Sequence, residues 1–315
     1  MHPFKRILLI APSEMIRTPA FERAESLALA AGALLHIVAF ADVMPPELAG
    51  LFNQDAVAQA REGYLQIHRH WLLQQARFQR HAGLQITCEV VCANQSPKQV
   101  LAYVNDFQPD LVIKDVQHIS ALDRTFHSPL DWLLLRECPT CLHLVTEARH
   151  PKPLKVLAAI DLSHLEELTY GLNERILKLA SSLARTCDAQ LHLLNVSNWS
   201  VVGDAVTSVP TQSLDSGLSE AVNDAQAEAF DALAERHGIE KNHQHVLIGV
   251  PHKVISQFAE RNGFDMLLLG MTHGDGHHQV IGSTAESVLN RTSCNSMIVK
   301  ALPRPLIETG QQAVC

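Results

Sequence analysis

The feature that most constrains this 315-residue chain is that it repeats itself. Short aliphatic and β-branched runs alternate with longer stretches of helical periodicity, the pattern of βαβ units built around a parallel sheet. The alternation occurs twice. Strands are expected at Arg6–Ile10, Leu34–Phe40, Ile86–Cys92, Asp110–Lys114 and Cys141–Val145, and again at Leu154–Ile160, Gln190–Val196, Gln244–Ile248, Asp265–Leu269 and Ser296–Lys300. The halves align at an offset near 150 that drifts to 155 or 156. Lys5 to Ile10 faces Lys155 to Ile160, Leu35-His36-Ile37 faces Leu191-His192-Leu193, and Pro109 to Ile113 faces Phe264 to Leu268. Ser128 to Arg136 lies against Ser283 to Arg291, with Asp131 opposite Glu286. An internal duplication explains these matches, and it turns a length suited to two domains of any kind into two copies of one unit.

The boundary falls at Arg149-His150-Pro151-Lys152-Pro153, whose prolines suit neither a central strand nor a helix interior. The expected organisation is an N-terminal domain over 1–150, a C-terminal domain over 151–302 and a tail over 303–315. Between strands, Ala56, Ala60, Tyr64, Ile67, Trp71 and Phe78 form a helical stripe that stops at Gly83. Leu218, Val222, Ala225, Ala229 and Leu233 form its counterpart, which stops at Gly238. Both stripes read as core faces.

Charge narrows the partners. Residues 1–150 carry 13 basic and 15 acidic side chains and residues 151–315 carry 12 and 18, so neither half has the basic excess that nucleic acid requires. The apolar stretch Leu27 to Phe40 covers 14 residues and includes His36, too short to span a membrane. Lys5-Arg6 precede only Ile7 to Ala11, too short for the core of a signal peptide. A cytoplasmic location is expected. Seven cysteines in such a chain do not suggest a disulfide framework. Cys138-Pro139-Thr140-Cys141 matches a C-x-x-C redox pattern, but that chemistry wants the first cysteine at a helix N-terminus, whereas here a helix ends near Glu137 and a strand follows.

The second half carries the site-like chemistry. Leu269 to Glu286 leaves a strand, crosses a loop containing Gly274-Asp275-Gly276, and enters a helix near Ser283. Free backbone N–H groups in such a loop and at a helix start favour an anion, with Ser283 and Thr284 as added hydroxyl donors. The same residues also suit a plain strand–loop–helix turn. Neither a P-loop nor a dinucleotide fingerprint occurs. His273, His277 and His278 share the loop, but no cysteine or paired carboxylate joins them, and no metal is expected. His36 and His192, at matching strand positions, read as core residues with satisfied ring nitrogens.

The duplicated unit and the ending Gly282-Ser283-Thr284-Ala285-Glu286-Ser287-Val288-Leu289 resemble tandem universal stress proteins over nearly the whole chain. Leu111-Val112-Ile113-Lys114 and the run from Ser128 to Pro139 are similar to the E-type tandem member. The resemblance implies two doubly wound five-stranded parallel sheets of order 3-2-1-4-5, packed as an internal pseudo-dimer and compatible with a further homodimer. Nucleotide-binding members carry G-x2-G-x9-G-[ST], an Asp after the first strand and a backbone contact to adenine after the second. The matching positions are Gly270, Gly274, Gly282 and Ser283, Asp161 for nucleotide hydroxyls, and Leu193 beside His192 for the base. Here the glycines are separated by three and seven residues, one residue short of the pattern overall. In the first half, Ala11 replaces Asp161, Asp115 replaces Gly270, and no glycine occurs between Gly83 and Gly171. A carboxylate where phosphate would approach argues against a nucleotide there.

No catalytic motif stands out. Met44 to Leu48 with Leu51-Phe52, and Trp199 with Val201-Val202, place apolar side chains near the C-terminal edge of each sheet, either as lids over an apolar pocket or as ordinary loop packing. The expected function is a stress-response protein that binds a small ligand in its C-terminal domain, with ATP or another adenine nucleotide implied. The alternative is a regulatory module that binds an apolar ligand or a protein partner. Slow ATP hydrolysis or autophosphorylation through Ser283 or Thr284 is the enzymatic reading, and it has the least support.

Overall fold

A computed structural model describes residues 3–41, 54–80, 83–92, 96–116, 128–146, 149–163, 171–197, 216–271 and 283–301. The N-terminal unit runs β1 (Arg6–Ala11), α1 (Pro19–Ala31), β2 (Leu34–Ala41), α2 (Gln54–Arg80), β3 (Ile86–Cys92), α3 (Pro97–Phe107), β4 (Leu111–Asp115), α4 (Pro129–Glu137) and β5 (Cys141–Val145). The C-terminal unit repeats it as β6 (Lys155–Ile160), α5 (Leu172–Cys187), β7 (Gln190–Ser197), α6 (Ser216–Arg236), β8 (Gln244–Ile248), α7 (Pro251–Arg261), β9 (Met266–Met271), α8 (Ser283–Leu289) and β10 (Asn295–Lys300). All ten strands fall where the alternation places them, with ends moved by no more than two residues. Residues 149–154 carry neither helix nor strand.

The strand order is β3-β2-β1-β4-β5-β10-β9-β6-β7-β8. Each half has the order 3-2-1-4-5 and is parallel throughout, but the two sheets do not remain separate. β5 and β10 pair antiparallel through Leu144 with Ser296, His143 with Met297 and Leu142 with Ile298, fusing the halves into one ten-stranded sheet. Each of these strands would otherwise present a row of unpaired N–H and C=O groups. Two copies related by a two-fold axis bring equivalent edges together antiparallel, so one contact satisfies both. Lys300 on β10 strengthens the joint by donating to the carbonyl of Leu135 on α4.

The duplication is visible at single atoms. Asp110 Oδ2, just before β4, accepts the N–H groups of Lys5 and Arg6 at 2.7 and 2.8 Å. Asp265 Oδ2, just before β9, accepts those of Leu154 and Lys155, both at 2.9 Å. Each aspartate thus fixes the start of its unit's central strand against the neighbour.

Alternation along each strand feeds two cores. Ile7, Leu9 and Ala11 join α1, α2, α5 and α6 on one face, while Leu8 and Ile10 join α3, α4, α7 and α8 on the other. Both cores run through both halves, and α1 packs against α5. The expected helical stripes are met in part, with Tyr64 and Trp71 on α2 and Ala229 and Leu233 on α6 packed half-buried against the core. Among the described side chains of α2, which exclude Phe78, the buried ones are Leu65, His68, Leu72 and Ala76, whereas Ile67 is exposed. Among those of α6, which exclude Leu218, they are Phe230 and Ala234, whereas Val222 is exposed. Apolar residues stand side by side at Tyr64-Leu65, Trp71-Leu72 and Ala229-Phe230, so periodicity alone leaves the phase open and contact with the sheet selects it.

Candidate functional site

Open α/β sheets hold ligands beyond the C-terminal ends of the strands where the strand order reverses, here between β6 and β9 and between β1 and β4. At the C-terminal reversal, Asp161 follows β6 directly and is exposed, its carboxylate accepting the Ser163 N–H at 2.8 Å and the Ser163 hydroxyl. Asn173 on α5 clamps its backbone from both sides. The amide of Asn173 donates to the Asp161 carbonyl at 2.6 Å and its Oδ1 accepts the Asp161 N–H at 3.2 Å. Asn173 is buried, and nothing in the family pattern marks it; its only signal is an asparagine at the start of a helix, two residues after Gly171.

Other expected residues do not gather at this edge. Leu193 is fully buried in mid-β7, its backbone registered between Ala158 and Gln244. The level of Ile160 belongs instead to Asn195. Two residues of strand separate them, about 7 Å. The base contact carried onto Leu193 is therefore corrected: its backbone is engaged by the sheet and its side chain by the core. Asn195, buried at that level with no described residue hydrogen-bonding its amide, is a polar group that sequence reasoning missed. Gly270 lies in β9 beneath α5, where a Cβ would meet Leu172 Cδ2 at 2.8 Å and Ile176 Cδ1 at 2.9 Å. Close helix–sheet packing accounts for this glycine. Ser283 and Thr284 open α8 as expected, and Thr284 is exposed. Gly274, Gly282, Asp275, His273, His277 and His278 lie outside the described residues, as do the apolar segments 44–52 and 199–202 and the tail.

The N-terminal reversal holds a cavity of about 1070 Å³. Ile10 and Ala11 from β1, Phe40 from β2, Val100 from α3 and Leu130, Trp132 and Leu133 from α4 give it apolar walls. Its polar floor is an ion pair, with Lys114 Nζ 3.1 Å from Asp131 Oδ1 and both side chains largely buried. Lys114 also donates to the Asp115 carbonyl at 2.9 Å. Asp131 is held by a capping box: it accepts the Ser128 N–H at 2.7 Å while its own N–H donates to Ser128 Oγ at 3.2 Å, with Pro129 opening the helix. The Ser-x-x-Asp spacing could have disclosed that box. Asp115, where the second half has Gly270, is buried, and desolvation pushes its carboxyl up.

The histidines divide. His36 is satisfied, Nδ1 meeting Thr87 Oγ1 at 2.6 Å and Nε2 meeting Tyr103 Oη at 2.7 Å. His192 contacts His245 at 3.0 Å, but its buried Nε2 has no hydrogen-bond partner among the described residues, a departure from the satisfied core histidine expected there. The C-x-x-C segment joins α4 to β5, and burial pushes the Cys138 thiol up and that of Cys141 to about 11, the opposite of redox activation. No helix among the described residues is long and apolar enough to cross a membrane.

Two parallel units, each of strand order 3-2-1-4-5, define a tandem doubly wound α/β protein. Residues 155–300 match the universal stress protein family. Universal stress protein E of Escherichia coli K12 is 27% identical over 256 residues, covering 81% of this chain and 80% of that one. Universal stress protein E of Photorhabdus laumondii is 25% identical over 305 residues, covering 95% and 96%. Two solved structures share the fold: a Pseudomonas aeruginosa protein of unknown function (TM-score 0.74, 20% identity, 95% and 93% covered) and an Archaeoglobus fulgidus universal stress protein (TM-score 0.66, 16% identity, 94% and 98% covered). The C-terminal unit thus matches the universal stress protein family, and the chain as a whole is similar to tandem members of that family.

Proposed function

We propose that this protein acts in the cytoplasm as a stress-response ligand binder whose C-terminal unit holds ATP or another adenine nucleotide at the β6–β9 reversal. The observation that carries the reading is Asp161: a carboxylate at the C-terminal end of the central strand, with its backbone fixed by Asn173 at 2.6 and 3.2 Å. A rigid acceptor at this place suits paired ribose hydroxyls, and the buried amide of Asn195 offers a donor and an acceptor at the same level. Gly274, Gly282, Ser283 and Thr284 are proposed to receive the phosphates. Binding rather than hydrolysis is the proposed role.

Equilibrium titration with ATP, ADP and adenosine tests this reading. Wild type is expected to bind all three, with Asp161→Asn weakening each by about tenfold, the value of one lost charged hydrogen bond. Absence of binding at millimolar ATP would remove the nucleotide from the proposal, and unchanged affinity in Asp161→Asn would remove Asp161 from the site.

A further inference from the structure

We infer that the N-terminal cavity is a second, independent ligand site, built for an uncharged small molecule with an apolar body and a hydrogen-bond-accepting head, such as an alcohol or amide, placed at Lys114. Its volume of about 1070 Å³ is at the upper end of small-molecule sites. It occupies the place in the N-terminal unit that the proposed nucleotide site occupies in the C-terminal one, yet its chemistry differs. Phe40, Val100, Leu130 and Trp132 supply apolar and aromatic wall. The Lys114 ammonium on the floor is already neutralised by Asp131 at 3.1 Å.

Among the described residues the charge balance disfavours an anion. Glu14, Asp115, Asp131 and Glu137 line the cavity against Lys114 and Arg136. A phosphate or carboxylate head at Lys114 would therefore sit beside Asp131 and meet like charge in a poorly solvated place. A cationic head at the same point would meet the Lys114 ammonium. Of the three Lys114 donors, one is engaged by the Asp115 carbonyl, while Asp131 holds the ammonium as an ion pair at 3.1 Å without a hydrogen bond among the described residues. The N–H groups not engaged by the Asp115 carbonyl select a neutral acceptor, while Asp131, held by its capping box, stays in place beside the ammonium. Ala11 in place of the C-terminal unit's Asp161, and no glycine between Gly83 and Gly171, complete the difference between the two sites.

Matched probes test the inference on the full chain: 4-phenylbutan-1-ol, 4-phenylbutyrate and 4-phenylbutylamine, titrated by calorimetry at neutral pH. The alcohol is expected to bind about tenfold more tightly than either charged probe. Asp131→Asn, which keeps the capping acceptor but frees the ammonium, should reverse the order so that the butyrate leads. If that variant does not fold, intermolecular NOEs from the wild-type Trp132 indole to the alcohol's ring decide the location. Binding of a charged probe as tight as the alcohol, no binding of any probe below millimolar concentration, or a bound alcohol without contacts to Trp132 would each overturn it. Asp161→Asn should leave all three affinities unchanged, so this site and the nucleotide site stand or fall separately.

Discussion

Arg23 on α1 is fully buried, and none of its guanidinium nitrogens has a hydrogen-bond partner among the described residues. The groups whose fields favour its charge, led by Asp265 and including Cys187 and Cys294, all lie in the C-terminal half, so this side chain crosses the joint between the copies. Burial pulls the guanidinium from its ordinary range down to about 10. A drop of that size is a penalty on the order of 3 kcal/mol against the charged form at neutral pH. Arg23→Met keeps an unbranched apolar stem and discards the charge. The variant is expected to be more stable by about 2 kcal/mol, after allowing for lost dispersion contacts. Urea unfolding reads this as a higher midpoint at unchanged slope. The sign with pH is specific. A folded value below the unfolded one destabilises the charged state throughout the range below about 10 and ceases to do so as pH rises through it. The gap between variant and wild type should therefore narrow above pH 10. A variant less stable than wild type, or a gap independent of pH, would refute the claim that this guanidinium is buried without compensation.

Two further substitutions separate packing from binding and core from surface. Gly270→Ala drives a methyl into Leu172 and Ile176 and should cost about 1–3 kcal/mol in urea unfolding while leaving nucleotide affinity unchanged; loss of affinity without loss of stability would return this glycine to the site. Burial, then His243, His245 and Lys155, pulls His192 down to about 4, so its contribution to stability is complete above the unfolded value of ~6.5 and is lost as pH falls from there towards 4. His192→Phe should flatten that acid-side decline in the urea midpoint, and an equally steep decline in the variant would place its cause elsewhere.

Much of this fold was legible because its signals are local or repeated. Runs such as Ile7 to Ile10 and Met266 to Leu269 announce strands buried on both faces, and the match of Asp110 with Asp265 points to an atom-level role that the hydrogen bonds reproduce. The candidate site was legible only in part. Asp161 could be placed by counting from the end of a strand. Leu193 could not, because resemblance identifies a strand more securely than a position along it, and the Ile160–Asn195 register was needed to show which residue reaches the edge. Asn173 and the Lys114–Asp131 pair escaped notice because each acquires its meaning from a partner on another element.

The sequence by itself determined the number of units, the order of elements within each and the inequality between them, since hydrophobic period, glycine content and charge are properties of consecutive residues. The tertiary structure alone decided that the two sheets become one. An edge strand's unpaired backbone groups are the same in any sequence, and only the approach of the second copy shows that β5 finds its partner in β10. The same holds for the cavity. Its walls come from β1, β2, β4, α3 and α4, and that half-open space, with the Lys114–Asp131 ion pair at its floor, exists only once those elements have packed.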